Sequence, residues 1–177
     1  MIELAKNIIK QFEGLHLSTY YCPAGLKTIG YGHVIKSYEK ISNKITVQQA
    51  EELLEEDIRK AEVILYKYCS VPLTENQQAS LISFIFNCGS GAFQSSTLRQ
   101  KLNRKEYLAA ADELLKWVNC KGIKLSGLIK RRNLEREVFL TEPSRKFINA
   151  YETENINSTK NIISSSIKTL FSKLSIP

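Results

Sequence analysis

The chain has 177 residues, of which 43% are hydrophobic, with 25 Lys and Arg against 18 Asp and Glu and a formal charge of +7. That length supports one core and leaves room for an appendage, and no apolar run approaches the roughly 18 to 20 residues that span a bilayer, which excludes a stable membrane span. The positive charge calls for a polyanionic partner, and nucleic acid, anionic lipid and acidic cell-wall polymer all fit it.

Residues 2 to 13 set Ile2, Ala5, Ile8, Ile9 and Phe12 on one helical face and Gly14 follows as a stop, so Glu13 is expected to end the first helix. This opening has neither a continuous apolar segment nor a small-residue cleavage site, so no signal peptide is expected and synthesis into a cytoplasm is the default. Residues 15 to 34 turn β-branched and aromatic, broken by Pro23, Gly25, Gly30 and Gly32, which predicts short antiparallel strands joined by tight turns. Thr46 with Gln49 forms a capping-box pattern ahead of a helix from 47 to about 66. Its apolar stripe contains or borders Asp57. A carboxylate there needs a partner, and His33 is the expected one; the alternative leaves Asp57 in solvent beside the stripe.

A second box, Thr74 with Gln77, opens a helix carrying Leu81, Ile82, Ile85 and Phe86. Further helices are expected near 96 to 102, 105 to 117 and 127 to 140, the last capped by Ser126. Trp117 is expected in the core rather than as a binding platform, and the run Lys130 to Arg132 is expected on a solvated face, with a secondary use in binding a polyanion. From Thr141 onward Ser, Thr and Asn become dense. Ile163, Ile167, Leu170, Phe171 and Leu174 still fall at helical spacing there, open to packing on the body or a sister chain, to a detached tail, or to membrane contact.

The cysteines Cys22, Cys69, Cys88 and Cys120 lie 47, 19 and 32 positions apart, and His16 and His33 are the two histidines, so no metal-ligand spacing exists and no metal or cofactor is expected. Thiols acting as small buried hydrophobes are the expectation for at least three of the four.

Chemistry concentrates in EGLHLSTYYCPAGLKTIGYGH, where Glu13 is followed nine positions later by Cys22 and six beyond that by Thr28. This pattern, with the GYGH of Gly30 to His33, resembles the phage-type lysozymes, the endolysin or muramidase family also called glycoside hydrolase family 24. The resemblance continues through LTENQQASLISFIFNCGSGAFQSSTL and GLIKRRNLEREVF and covers roughly residues 3 to 140. It implies an α+β, lysozyme-like fold, mainly helical with a small N-terminal antiparallel β-hairpin region and an inter-lobe helix. A catalytic domain over residues 1 to 140 and a C-terminal extension over 141 to 177 follow from its limits. It further implies hydrolysis of the β-1,4 bond between N-acetylmuramic acid and N-acetylglucosamine in bacterial peptidoglycan, with Glu13, Cys22 and Thr28 catalytic and Gly32, Val34 and Phe86 lining the cleft. The enzyme would wait in the host bacterial cytoplasm until a holin-type lesion lets it reach the wall, and the wall displaces nucleic acid as the polyanion.

The residues themselves suit that chemistry. Glycosidic cleavage needs a proton delivered to the leaving oxygen. At the negative end of a helix and beside apolar Phe12 and Leu15, Glu13 is expected to favour its protonated form. Thr28 can hold the attacking water, which would invert the anomeric carbon, whereas attack by a protein group would retain it. Cys22 stands where the family often has Asp, and a thiol is the poorer base, so thiolate, orienting group and covalent nucleophile stay open for it. Two other functions compete: a cysteine-dependent wall amidase pairing Cys22 with His33, and a degenerate lysozyme fold serving as a binding module.

Overall fold

A computed structural model describes residues 1–22 and 25–142, which lie in one unit ending near Thr141. The expected extension and its apolar stripe fall outside the described residues. Helix α1 runs over Ile2–Lys10 and buries Ala5, Ile8 and Ile9. It stops short of the expected end, because Phe12 tightens the last turn by donating to Ile9 O at 3.0 Å. Glu13 N also donates to Ile9 O at 3.0 Å, so Glu13 is still carried on the helix's final turn.

Strands β1 (His16–Tyr21), β2 (Lys27–Gly30) and β3 (His33–Val34) form an antiparallel sheet in chain order. The pairs Tyr20 with Thr28 and Thr28 with Val34 put those three side chains on one face, because directly opposed residues share a face. Lys27, Tyr21, Ile29 and His33 take the other. That second face packs on α2 (Val47–Tyr68), and Gly30, at φ +66°, lets the sheet come close to it: a β-carbon there would meet Ala50 Cβ at 3.6 Å.

The centre of the fold is α3 (Glu75–Cys88), in which every residue from Ala79 to Ile85 is buried, the mark of a helix enclosed on all sides. Both expected capping boxes form: Gln49 N donates to Thr46 Oγ1 at 3.1 Å and Gln77 N to Thr74 Oγ1 at 3.2 Å. Phe84 meets Phe93 and Trp117 edge-on, with Trp117 at 5.3 Å and 84°, which seats the tryptophan against the core as expected.

Two short helices, α4 (Ser90–Ser95) and α5 (Thr97–Asn103), lead to α6 (Tyr107–Leu114). The sequence gives no warning of α4. Nor does it announce the hairpin β4 (Asn119–Cys120) and β5 (Ile123–Lys124), whose turn places Lys121 at φ 50° and Gly122 at φ 80°, the pattern of a tight two-residue hairpin. Helix α7 (Ser126–Leu140) closes the described part and packs on α3 and α6. Leu125, not Ser126, holds its N-cap position, and no side chain caps it. The cysteine expectation is corrected too: Cys69 is buried, whereas Cys88 is half-buried and Cys120 exposed.

Candidate active site

The residue that begins the chemistry, Glu13, is half-buried and lines a cleft of about 380 Å³ with Phe12, Asn87, Leu128 and Arg131, bounded on one side by Ser126 and Gly127 at the start of α7. A larger and more open hollow of about 580 Å³ surrounds Tyr107 and Asp112 and holds none of the chemistry-bearing residues singled out above.

Gly32 faces the same carboxylate. It adopts φ +92°, and a β-carbon on it would lie 3.7 Å from Glu13 Oε2, so the GYG turn brings bare backbone up to the carboxylate. Across the sheet, Cys22 N donates to Leu26 O at 3.0 Å and so extends the pairing register beyond β1. Two positions past Tyr20, Cys22 therefore shares the face of Tyr20, Thr28 and Val34. The Tyr20 hydroxyl is raised above its ordinary value, first by burial and then by the negative charge available to Glu13 and Cys22. Tyr20 therefore lies near enough to Glu13 for the carboxylate's charge to disfavour the tyrosinate.

Thr28 is 2% exposed and donates from Oγ1 to Leu26 O at 2.9 Å. A hydroxyl has one proton, so its lone pairs remain to accept. Phe86 is half-buried and packs against the core cluster, and its neighbour Asn87 is the one that lines the cleft.

His33 lies on the opposite sheet face. It is 3% exposed, its Nδ1 is 2.7 Å from Asp57 Oδ2 and its Nε2 is 3.2 Å from Glu39 Oε2. The expected pairing with Asp57 thus forms and gains a second carboxylate. The hydrogen bond to Asp57 raises the imidazole above its usual range despite burial. Burial works to raise Asp57, but His33 and Lys60, the latter at 2.9 Å, outweigh it and hold the carboxyl low. A base for Cys22 would have to come from its own face, so pleat and hydrogen bonding both withdraw His33 from that role.

The largest departure concerns the basic run. Lys130 is exposed as expected, yet Arg131 and Arg132 are 2% and 0% exposed. Arg131 Nη1 lies 2.5 Å from Glu13 Oε1, while its Nε reaches Glu135 Oε1 at 3.2 Å and its Nη2 reaches Ser83 O and Oγ at 3.3 Å. Glu13 therefore does not sit in an apolar setting alone: Phe12 is there, with the Arg131 guanidinium 5.5 Å from its ring centre, and so is that cation itself. Arg132 Nη2 is 3.1 Å from Glu135 Oε1, Ser83 Oγ donates to that oxygen at 2.7 Å, and Arg132 lies 5.0 Å from the Phe84 ring centre. Burial pushes the fully enclosed Glu135 carboxyl up, and the two guanidiniums and Ser83 pull against it.

The family described as Phage lysozyme matches residues 10–135. The endolysin of Acyrthosiphon pisum secondary endosymbiont phage 1 is 45% identical over 136 residues, covering 75% of this chain and 92% of its own length. The endolysin of Salmonella phage P22 is 38% identical over 147 residues, covering 80% of this chain and all of its own length. Among solved structures, an endolysin from Escherichia coli O157:H7 phage FAHEc1 superposes with a TM-score of 0.70 at 34% identity, over 80% of this chain and 94% of that one.

Proposed function

The chain belongs to the phage lysozyme family, and on that premise we propose a division of labour in its cleft. The protein is an endolysin-type muramidase, a glycoside hydrolase that cleaves the β-1,4 bond between N-acetylmuramic acid and N-acetylglucosamine in bacterial peptidoglycan. Glu13 delivers the proton to the leaving oxygen. The observation that carries this role is its place: a half-buried carboxylate inside the cleft, with the Gly32 backbone open before it.

Thr28, its proton committed to Leu26 O, accepts a hydrogen bond from the attacking water, and Cys22 beside it on the same face orients that water. Val34 shares this face and borders the sugar chain, with Gly32 as the point of closest backbone approach. Phe86 supports that wall from the core side through Asn87. Water attack opposite Glu13 gives an inverted product. Residues 1 to 140 act as the catalytic domain and 141 to 177 as an extension, a division supported by the limits of the family match. Access from the host cytoplasm through a holin-type lesion belongs to the same proposal and is supported by the endolysin names of the relatives.

Digestion of purified peptidoglycan tests the assignment. Wild type releases reducing sugar ends and no new amino groups, and Glu13→Gln lowers that rate by about 100-fold or more, the range for loss of a general acid. Cys22→Ser retains most of the rate if the position orients water. A retained anomer together with loss of activity in Cys22→Ser would transfer the nucleophile's role to the thiol.

A further inference from the structure

The geometry points to Glu135 as a positioning residue that aims Arg131 at Glu13; this rests on the muramidase reading of Glu13. A guanidinium is planar, and its nitrogens keep fixed directions relative to one another. In Arg131 two of the three nitrogens are anchored away from the cleft: Nε on Glu135 Oε1 at 3.2 Å, and Nη2 on Ser83 O and Oγ at 3.3 Å. Once those two are fixed, the third has one direction left. Nη1 then meets Glu13 Oε1 at 2.5 Å.

Glu135 is itself held. Its Oε1 accepts from Ser83 Oγ at 2.7 Å and from Arg132 Nη2 at 3.1 Å, and its Oε2 lies 2.9 Å from Arg132 Nε in charge contact without a linear hydrogen bond. Arg132 is pinned in turn by Asn87 Oδ1 at 3.0 Å and Cys88 Sγ at 3.1 Å. The chain of contacts therefore runs from the end of α3 through Arg132 and Glu135 to Arg131 and the cleft. Glu135 is 0% exposed and absent from the cleft lining, so it reaches Glu13 through Arg131 rather than by direct contact. The carboxyl groups of Glu13 and Glu135 also give the two buried guanidiniums partners within ion-pair distance, which a buried arginine requires.

The experiment compares wild type, Glu135→Gln, Arg131→Gln and the double variant for reducing-end release from soluble peptidoglycan fragments, each checked for folding by circular dichroism. Glu135→Gln is expected to lower kcat about tenfold with KM within about twofold, since misaiming a group at a reacting centre slows chemistry more than binding. Added to Arg131→Gln, it is expected to cost nothing further. An unchanged kcat in Glu135→Gln, or the same tenfold loss in both backgrounds, overturns the inference. Should Glu135→Gln fail to fold, Ser83→Ala carries the test: it removes one hydrogen bond to each side chain, and a kcat about threefold lower at unchanged KM is expected at a temperature well below its lowered melting point, with unchanged kcat overturning. A wild type that releases no reducing ends overturns the muramidase reading and this inference together, whereas active wild type with equally active Glu135→Gln overturns this inference alone.

Discussion

His33 and Arg131 are both buried between two carboxylates, yet the two clusters behave as different materials. Around His33, Asp57 and Glu39 keep side-chain exposures of 20% and 18%, Lys60 joins from solvent, and the central base can lose its proton. Around Arg131, Glu135 is fully enclosed and the cation is permanent. The first cluster fastens the sheet to α2 with a strength that water and pH can adjust. The second holds the cleft wall with charges that have no alternative to one another.

That contrast sets the scale of what mutation should do. Glu135→Ala strands two buried guanidiniums and is expected to cost about 3 to 5 kcal/mol in urea unfolding; a loss under about 1 kcal/mol would put the two clusters in one class. The His33–Asp57 pair is expected to contribute about 1 to 2 kcal/mol, seen as the stability difference between wild type and His33→Gln. Its pH dependence follows from the two shifts. His33 is raised on folding, so its contribution is complete below the unfolded value near 6.5 and disappears as pH climbs through the folded one. Asp57 is lowered, so its contribution is present above the unfolded value near 4 and is lost as pH falls through the folded one. The increment should peak between about pH 4 and 6.5, and Asp57→Asn should bring the His33 NMR titration down. An increment that stays flat from pH 5 to 9 would make this cluster as fixed as the other.

The helices carrying the two clusters differ at their starts as well. Thr46→Ala removes a formed capping box from α2 and should cost about 1 kcal/mol. Ser126→Ala removes no cap bond from α7 and should stay within about 0.5 kcal/mol in the same thermal melt.

The first cluster was legible because Asp57 interrupts an apolar stripe, and an interruption asks for a partner. The second carries the same signal: Arg131, Arg132, Glu135 and Phe139 fall at i, i+1, i+4 and i+8 along α7, so three charged residues occupy its inward side. Adjacent arginines look like a wet surface only if their helical phase is ignored. Glu13 and Gly32 were found by motif, and their approach in space was not, because it depends on the positive φ of Gly32. The faces of Cys22 and His33 depend on the pairings of Tyr20 with Thr28 and of Ile29 with His33, and a slip of one residue in either, which spacing alone does not exclude, would reverse their relation. Strands of two residues, as in β4 and β5, carry too little periodicity to announce themselves.

Strand β2 has four residues, and neighbouring ones serve opposite sides: Thr28 shares the face of Tyr20 and Val34, and Ile29 shares that of His33 against α2. Parity is thus a rule for anyone building libraries in this region. One codon inserted or deleted between Leu26 and Thr28 would exchange the two sides and displace both the Tyr20–Thr28–Val34 face and the sheet's anchorage in a single event, while changes made two codons at a time would preserve both. Length variants recovered from such a library should be enriched in even steps.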